Sequence, residues 1–234
     1  MNEDFIKLGE FYFYNPPIAD DSMKEIMWDV NLKLSRDGCW EKETEEIMKK
    51  EIKPGMTVAD IGASIGYFTM TMAKLVGEHG TVYSIEPTPN QFIYLKYNII
   101  KNGFENIVRE LNIAASDTGA PISINCNACS PNKLLGWKMD DIFNIKIDFI
   151  KMDIDGSETR ALKGLIKTIE NNPNLKMIIE YHPESHKRLE NKPEEMLEII
   201  DKYFTYTHLD EYNLFCIKKL RAEKEKIEDI NSTV

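Results

Sequence analysis

The chain has no apolar run approaching the ~20 residues that a membrane-spanning helix needs. Its start, Met1-Asn2-Glu3-Asp4, is acidic where a secretory signal would be basic and then apolar, so a cytoplasmic protein is expected. Cysteine is scarce, with four in 234 residues. Cys126 and Cys129 form a single C-x-x-C, and Cys39 and Cys216 supply no second pair, which argues for unligated thiols rather than a zinc site. Positive charge is short too: 29 Lys and Arg against 39 Asp and Glu leave a net charge of −10. Such a surface is a poor partner for nucleic acid or an anionic membrane. There is no internal repeat and no low-complexity tract. What is present is the composition of a soluble globule, 42% hydrophobic and 29% charged, in a chain long enough to bury a real core.

Residues 1–55 read as an N-terminal helical cap that does not fold alone. The aromatic run Phe11-Tyr12-Phe13-Tyr14 is stopped by Pro16-Pro17. Ser22 and Glu25 have capping-box spacing, and Met23, Ile26, Met27, Val30 and Leu34 follow a helical stripe that lines a substrate pocket or, as methionine-rich filler, packs against the main sheet. A second helix is predicted over 40–51, closed by Pro54-Gly55. From residue 56 to 220 strands and helices alternate. Strands are predicted at 57–61, 81–85, 107–114, 147–152 and 175–179, with a short one at 121–125. Helices are predicted at 65–76, from Thr88 to 101, at 137–144, after Ser157 and at 193–204. Thr88-Pro89-Asn90-Gln91 has Thr at N-cap, Pro at N1 and Gln at N3. Two closing strands, 205–209 and 213–218, are joined by a short turn and are predicted antiparallel. This order specifies an α/β fold: a mostly parallel seven-stranded sheet, covered on both faces, with a final antiparallel strand. Residues 221–234 read as a charged, solvated tail in which the sequon Asn231-Ser232-Thr233 is idle.

The most specific signal is Asp60-Ile61-Gly62-Ala63-Ser64-Ile65-Gly66, between a strand and a helix. Glycines there let the backbone approach a ligand beyond the carboxyl end of the strand. Glu86 ends the next strand, 86 − 66 = 20 residues past the last glycine, where an acid can accept both hydroxyls of a ribose. A pyrophosphate calls for G-x-G-x-x-G. The pattern here is D-x-G-x-x-x-G, and the Asp60 carboxylate suits a ligand with a cationic end. S-adenosylmethionine has the ribose, a sulfonium, an ammonium and no phosphate.

These residues lie within a longer resemblance. Gly38-Cys39-Trp40-Glu41, Lys53-Pro54-Gly55, VADIGASIGYFT (58–69), GTVYSIEPTPNQFIYLKYNIIKNG (80–103), NIAASD (112–117), DFIKMDIDGSETRALKG (148–164) and IIEYHP (178–183) resemble class I S-adenosylmethionine-dependent methyltransferases of the FkbM type. The resemblance covers about 40–185 and implies a Rossmann-like fold. It further implies that Asp60, Gly62, Ala63 and Gly66 form the loop at the methionine side, that Glu86 holds the ribose, that Pro87 and the segment Asn112 to Ala114 flank the adenine, and that Trp40 and Glu41 close over the cofactor. One departure is Asp155-Gly156, where the family usually has Glu-Gly.

Methyl transfer from a sulfonium is an in-line displacement. Placing the acceptor oxygen supplies much of the rate, and a base or a metal near the methyl takes or polarises its proton. Asp153 and Asp155 follow the fourth strand, and Glu180, Tyr181 and His182 the fifth. In one arrangement His182 or Asp153 is the general base, and Asp153 also binds the cofactor ammonium. In the other, Asp153, Glu180 and His182 hold Mg²⁺. The expected activity is O-methylation of a hydroxyl on a sugar, glycan or natural-product small molecule. The alternatives are an RNA or protein methyltransferase, or a cofactor-binding partner subunit without chemistry.

Overall fold

The computed structural model describes residues 4–16, 21–123, 133–188 and 192–219. Cys126, Cys129 and the tail with its sequon lie outside them. In chain order the elements are β1 (Phe5–Leu8), β2 (Phe11–Tyr14), α1 (Asp21–Asp37), α2 (Lys42–Glu51), β3 (Thr57–Ile61), α3 (Tyr67–Val76), β4 (Thr81–Ile85), α4 (Pro89–Lys101), β5 (Val108–Leu111), β6 (Ala114–Ser116), β7 (Pro121–Ser123), β8 (Lys133–Lys138), α5 (Met139–Ile142), β9 (Phe149–Met152), α6 (Glu158–Lys163), α7 (Ile166–Asn171), β10 (Lys176–Glu180), α8 (Pro183–Arg188), α9 (Pro193–Tyr203), β11 (Phe204–His208) and β12 (Asn213–Lys218).

Seven strands make the main sheet in the order β11-β12-β10-β9-β3-β4-β5. The pairs β10–β9, β9–β3, β3–β4 and β4–β5 are parallel, and β12 is antiparallel to both of its neighbours. Side chains alternate across the pleat. Val58, Val82, Phe149 and Ile178 bury into one layer with Met48 of α2, Met72 of α3 and Leu95 of α4. Ala59, Ile61, Ile150 and Met177 bury into the other, with Leu162 of α6 and Ile200 of α9. This is the α/β, Rossmann-like layering that the alternating pattern predicts.

The structure departs from the local reading in several places. The N-terminal cap is not purely helical: β1 and β2 pair as an antiparallel hairpin. Its Phe11 and Phe13 and the α1 stripe of Met23, Met27, Val30 and Leu34 form a third core with Ile65, Met70 and Tyr94. The predicted helix at 40–51 starts only at Lys42, because Glu41 is extended (φ −138°, ψ 104°). The single strand predicted at 107–114 is two strands in different sheets, since β6 joins β8 and β7 in a separate three-stranded sheet. Asn112 makes that break: its amide donates to the carbonyls of Glu86 and Pro87 at 2.8 and 3.0 Å, drawing the chain off the ladder. The helix predicted at 137–144 is the end of β8 followed by the short α5. Thr88 and Ser157 occupy N-cap positions without a side-chain cap bond. The Thr88 hydroxyl serves Glu86 instead.

Candidate functional site

A cavity of about 420 Å³ opens over the carboxyl ends of β3, β4 and β9, within the size range of small-ligand sites. Its floor is the loop from Gly62 to Ile65, Glu86 and Pro87 stand on one side, and Lys151 and Asp153 on the other. Ile26, Asp29 and Val30 of α1, together with Trp40, roof it. The stripe therefore fills both roles open to it, with Ile26 and Val30 lining the cavity and Met23, Met27 and Leu34 in the core.

The floor depends on backbone that few residues tolerate. Gly62 has φ +89°, and a Cβ there would lie 1.8 Å from the carbonyl oxygen of Asp153. Only glycine lets the β3–α3 turn pass against the chain leaving β9. Gly66, at φ +93°, turns the chain into α3, where a Cβ would meet Leu95 at 2.6 Å. Ser64 (φ +50°) and Asp155 (φ +54°) are the two left-handed non-glycine residues among those described, and both line the cavity. Strained backbone of this kind gathers at ligand sites. It also explains Asp155, because Asp is tolerated in the left-handed region better than a longer carboxylate.

Glu86 is 4% exposed. Its Oε2 accepts from the Ser64 N–H at 2.8 Å and its Oε1 from the Thr88 N–H at 2.7 Å. A carboxylate has about four acceptor sites, so capacity for donors from a ligand remains. Burial pushes its pKa up to about 7, against the lowering effect of the Thr88 and Ser64 bonds. Glu158 is likewise pushed up to about 7 by burial. Its Oε1 accepts from the N–H groups of Ile154 and Gly156 at 2.8 and 3.3 Å, fixing the loop that carries Asp153 and Asp155.

These two acids give the empty protein a distinctive pH dependence. Both start from 4.5 unfolded and reach about 7 folded. Between those values the folded state binds more protons than the unfolded one, so stability falls as pH rises through the window. At about 1.4 kcal/mol per pKa unit, the loss is a few kcal/mol. Thermal melts from pH 5 to 8 should show Tm falling, with a shallower fall in Glu86→Gln; a Tm that rises over this range contradicts the burial argument.

Lys151 is the residue that sequence reading undervalued most. It is 2% exposed, lines the cavity, and donates to Asp153 Oδ2 at 2.9 Å. The β3–β9 register sets Asp60 beside it. Asp60 is 1% exposed; its Oδ2 accepts from the Thr69 hydroxyl at 2.6 Å, and burial raises its pKa despite Lys151. The available signal was a lone cation in the apolar run Phe149-Ile150-Lys151-Met152. For Glu158 no local signal separates it from an exposed first-turn acid.

Of the residues expected to bind a cofactor, Trp40, Gly62, Ala63, Glu86, Pro87, Ala114 and Asp153 line the cavity. Asp60, Gly66, Glu41 and Asn112 do not. Asp60 lies beneath the floor, Gly66 shapes the turn, Asn112 clamps the Glu86–Pro87 segment, and the buried Glu41 carboxyl acts on Lys151. Of the expected catalytic trio, Asp153 lines the cavity and the other two do not. His182 is outside the cavity wall, its ring stacked on Tyr212 at 4.6 Å and 7°, and its Nδ1 accepts from the Ser185 N–H at 3.4 Å. Glu180 lies off the wall too; burial and the neighbouring Asp153, Glu158 and Asp155 hold it far above the usual carboxylate range. Among the described residues no group of three or more His, Cys, Asp or Glu is placed to hold a metal ion.

Comparison with known proteins agrees with this geometry. The FkbM methyltransferase domain matches residues 136–207, and the TRM5/TYW2 methyltransferase domain matches residues 23–123. A protein-L-isoaspartate O-methyltransferase of Methanococcoides burtonii is 37% identical over 57 residues, 24% of this chain and 28% of that protein. The match thus spans little more than a quarter of that relative's length. Among solved structures, the O-methyltransferase of Bacillus cereus in complex with S-adenosylhomocysteine superposes with TM-score 0.54 at 17% identity, covering 87% of this chain and 93% of that one. Methyltransferase FkbM of Methylobacillus flagellatus gives 0.51 at 22%, covering 85% and 56%. The FkbM-type resemblance and the class I methyltransferase fold both hold.

Proposed function

We propose that this chain is an S-adenosylmethionine-dependent methyltransferase that methylates a hydroxyl of a sugar, glycan or other small natural product. The observation that carries the cofactor reading is that one cavity is lined by Glu86, the Gly62 turn and Asp153 together. The chain's own atoms fit the cofactor: Glu86 keeps acceptor capacity for ribose hydroxyls, the floor has room only for glycine at position 62, and Asp60 Oδ1 is buried without a hydrogen-bond partner beneath the loop. The bound cofactor supplies an electrophilic methyl group on a sulfonium. Asp153 Oδ2 is taken by Lys151, which leaves Oδ1 to accept the proton of the acceptor hydroxyl. Trp40, which also lines the cavity, presents an apolar face to the space left for the acceptor. Mg²⁺ has no part in this reading. A cytoplasmic setting accords with Cys39 and Cys216 as free thiols.

An RNA acceptor is the second reading, favoured by the TRM5/TYW2 match over residues 23–123. The net charge of −10 weighs against it. The test is calorimetric titration with S-adenosylhomocysteine, followed by methyl transfer to panels of hydroxylated sugars, RNA and protein. Glu86→Gln should weaken ligand binding by about tenfold or more, the worth of a charge-assisted hydrogen bond. Asp153→Asn should cut turnover while His182→Ala leaves it unchanged. Methylation confined to RNA or protein overturns the small-molecule reading.

A further inference from the structure

At its β9 side the site carries more negative charge than the neighbouring positive charge balances. Lys151 donates to Asp153, has Asp60 beside it in register, and feels Glu41 as a third carboxylate. Phe68 packs over the ammonium, its ring centroid 4.7 Å away. Lys151 thus serves three carboxylates, and the one further cation acting on them among the described residues is Lys33, which lies over the Trp40 ring and acts on Glu41. Among the described residues that line the cavity, Lys151 is the one Lys or Arg. Two oxygens of the group, Asp60 Oδ1 and Glu41 Oε2, are buried and have no hydrogen-bond partner among the described residues. Burial raises the pKa of both Asp60 and Glu41, as befits acids short of counter-charge.

We propose that this surplus of negative charge makes the pocket prefer a cationic sulfonium ligand over the neutral thioether that remains after methyl transfer, with Asp60 and Glu41 as specificity-determining residues and Lys151 as the positioning residue that gathers them. The inference rests on reading the cavity as the S-adenosylmethionine site. Strands β4 and β9 flank β3, so Glu86 and Lys151 stand on strands about 10 Å apart. A ligand whose ribose is held at Glu86 crosses the Gly62 turn toward the charged group. In a low-dielectric site an unbalanced carboxylate favours a cation far more than it does in water. S-adenosylmethionine carries one more positive charge than S-adenosylhomocysteine, so loss of the methyl removes the attraction and favours release of the product.

The test compares calorimetric affinities of wild-type protein for S-adenosylmethionine, S-adenosylhomocysteine and an aza analogue whose protonated amine replaces the sulfonium. Both cationic ligands should bind about tenfold or more tighter than the thioether, the equivalent of one well-placed charge contact. In Asp60→Asn and Glu41→Gln that ratio should fall toward one, whatever affinity for the thioether is lost. A wild-type protein that binds the thioether as tightly as the sulfonium overturns the proposal, and this comparison needs no variant to fold. A ratio unchanged in both variants overturns it as well. If neither ligand binds to protein that melts cooperatively, the reading of the cavity itself falls, whereas equal binding of the two sinks the charge inference alone.

Discussion

Lys151→Met should unfold this protein more readily than any surface change. The lysine is 2% exposed and its ammonium is the counter-charge to Asp153, Asp60 and Glu41. Removing one partner of a buried ion pair leaves the others uncompensated and costs about 3–5 kcal/mol. Methionine keeps the volume and the contact with Phe68, so the loss isolates charge from packing. Urea denaturation should show a lower midpoint with an unchanged slope. Adding Asp60→Asn to Lys151→Met removes one of the stranded carboxylates, and the pair should recover part of the loss, because the two residues are register neighbours and their effects couple. A loss below about 1 kcal/mol for the single variant, the range of an exposed ion pair, would show that the cluster is solvated and carries little electrostatic weight.

Gly62→Ala should be comparably severe and act on function first. The added Cβ would lie 1.8 Å from the Asp153 carbonyl oxygen and 2.9 Å from its carbon, so the backbone of one loop has to move. The left-handed φ of +89° adds about 1–2 kcal/mol, and forced displacement in a packed site about 1–3 more. Gly55 provides the control. It is also left-handed, at φ +82°, but has open space around its Cβ position, so Gly55→Ala bears the conformational cost alone. The difference between the two variants therefore measures the contact between the β3 and β9 loops. Because those loops form the floor and one wall of the cavity, S-adenosylhomocysteine affinity should collapse in Gly62→Ala and persist in Gly55→Ala. Equal behaviour of the two variants would mean that the loops part without consequence.

Much of this site is legible along the chain. The turn glycines, Glu86 at the end of the second strand and the strand–helix alternation are local signals, since backbone freedom and side-chain period act over a few residues. The small corrections are local too. Glu41 takes an extended backbone and delays α2, and Thr88 turns its hydroxyl to Glu86 rather than to the helix end. Which of the expected catalytic residues face the cavity is a different matter, and of the three only Asp153 does. Asp153, Glu180 and His182 all follow strands at the same edge of the sheet, but their strand position does not say which way each side chain turns. His182 turns to Tyr212, and Glu180 is crowded by acids that hold its proton.

The sequence by itself determined the α/β order, the glycine turn after β3 and the acid at the end of β4, because each follows from spacing within one turn or one strand–helix unit. Only the tertiary structure decided that α1 roofs the cavity, that Asn112 ends β5 by holding the Glu86–Pro87 segment, that Glu158 ties the Asp153 loop, and that Lys151 gathers Asp60, Asp153 and Glu41. Those facts depend on cross-strand register and on burial. Register brings distant residues side by side, and burial, by removing water, turns an ordinary lysine and ordinary carboxylates into the electrostatic centre of the site.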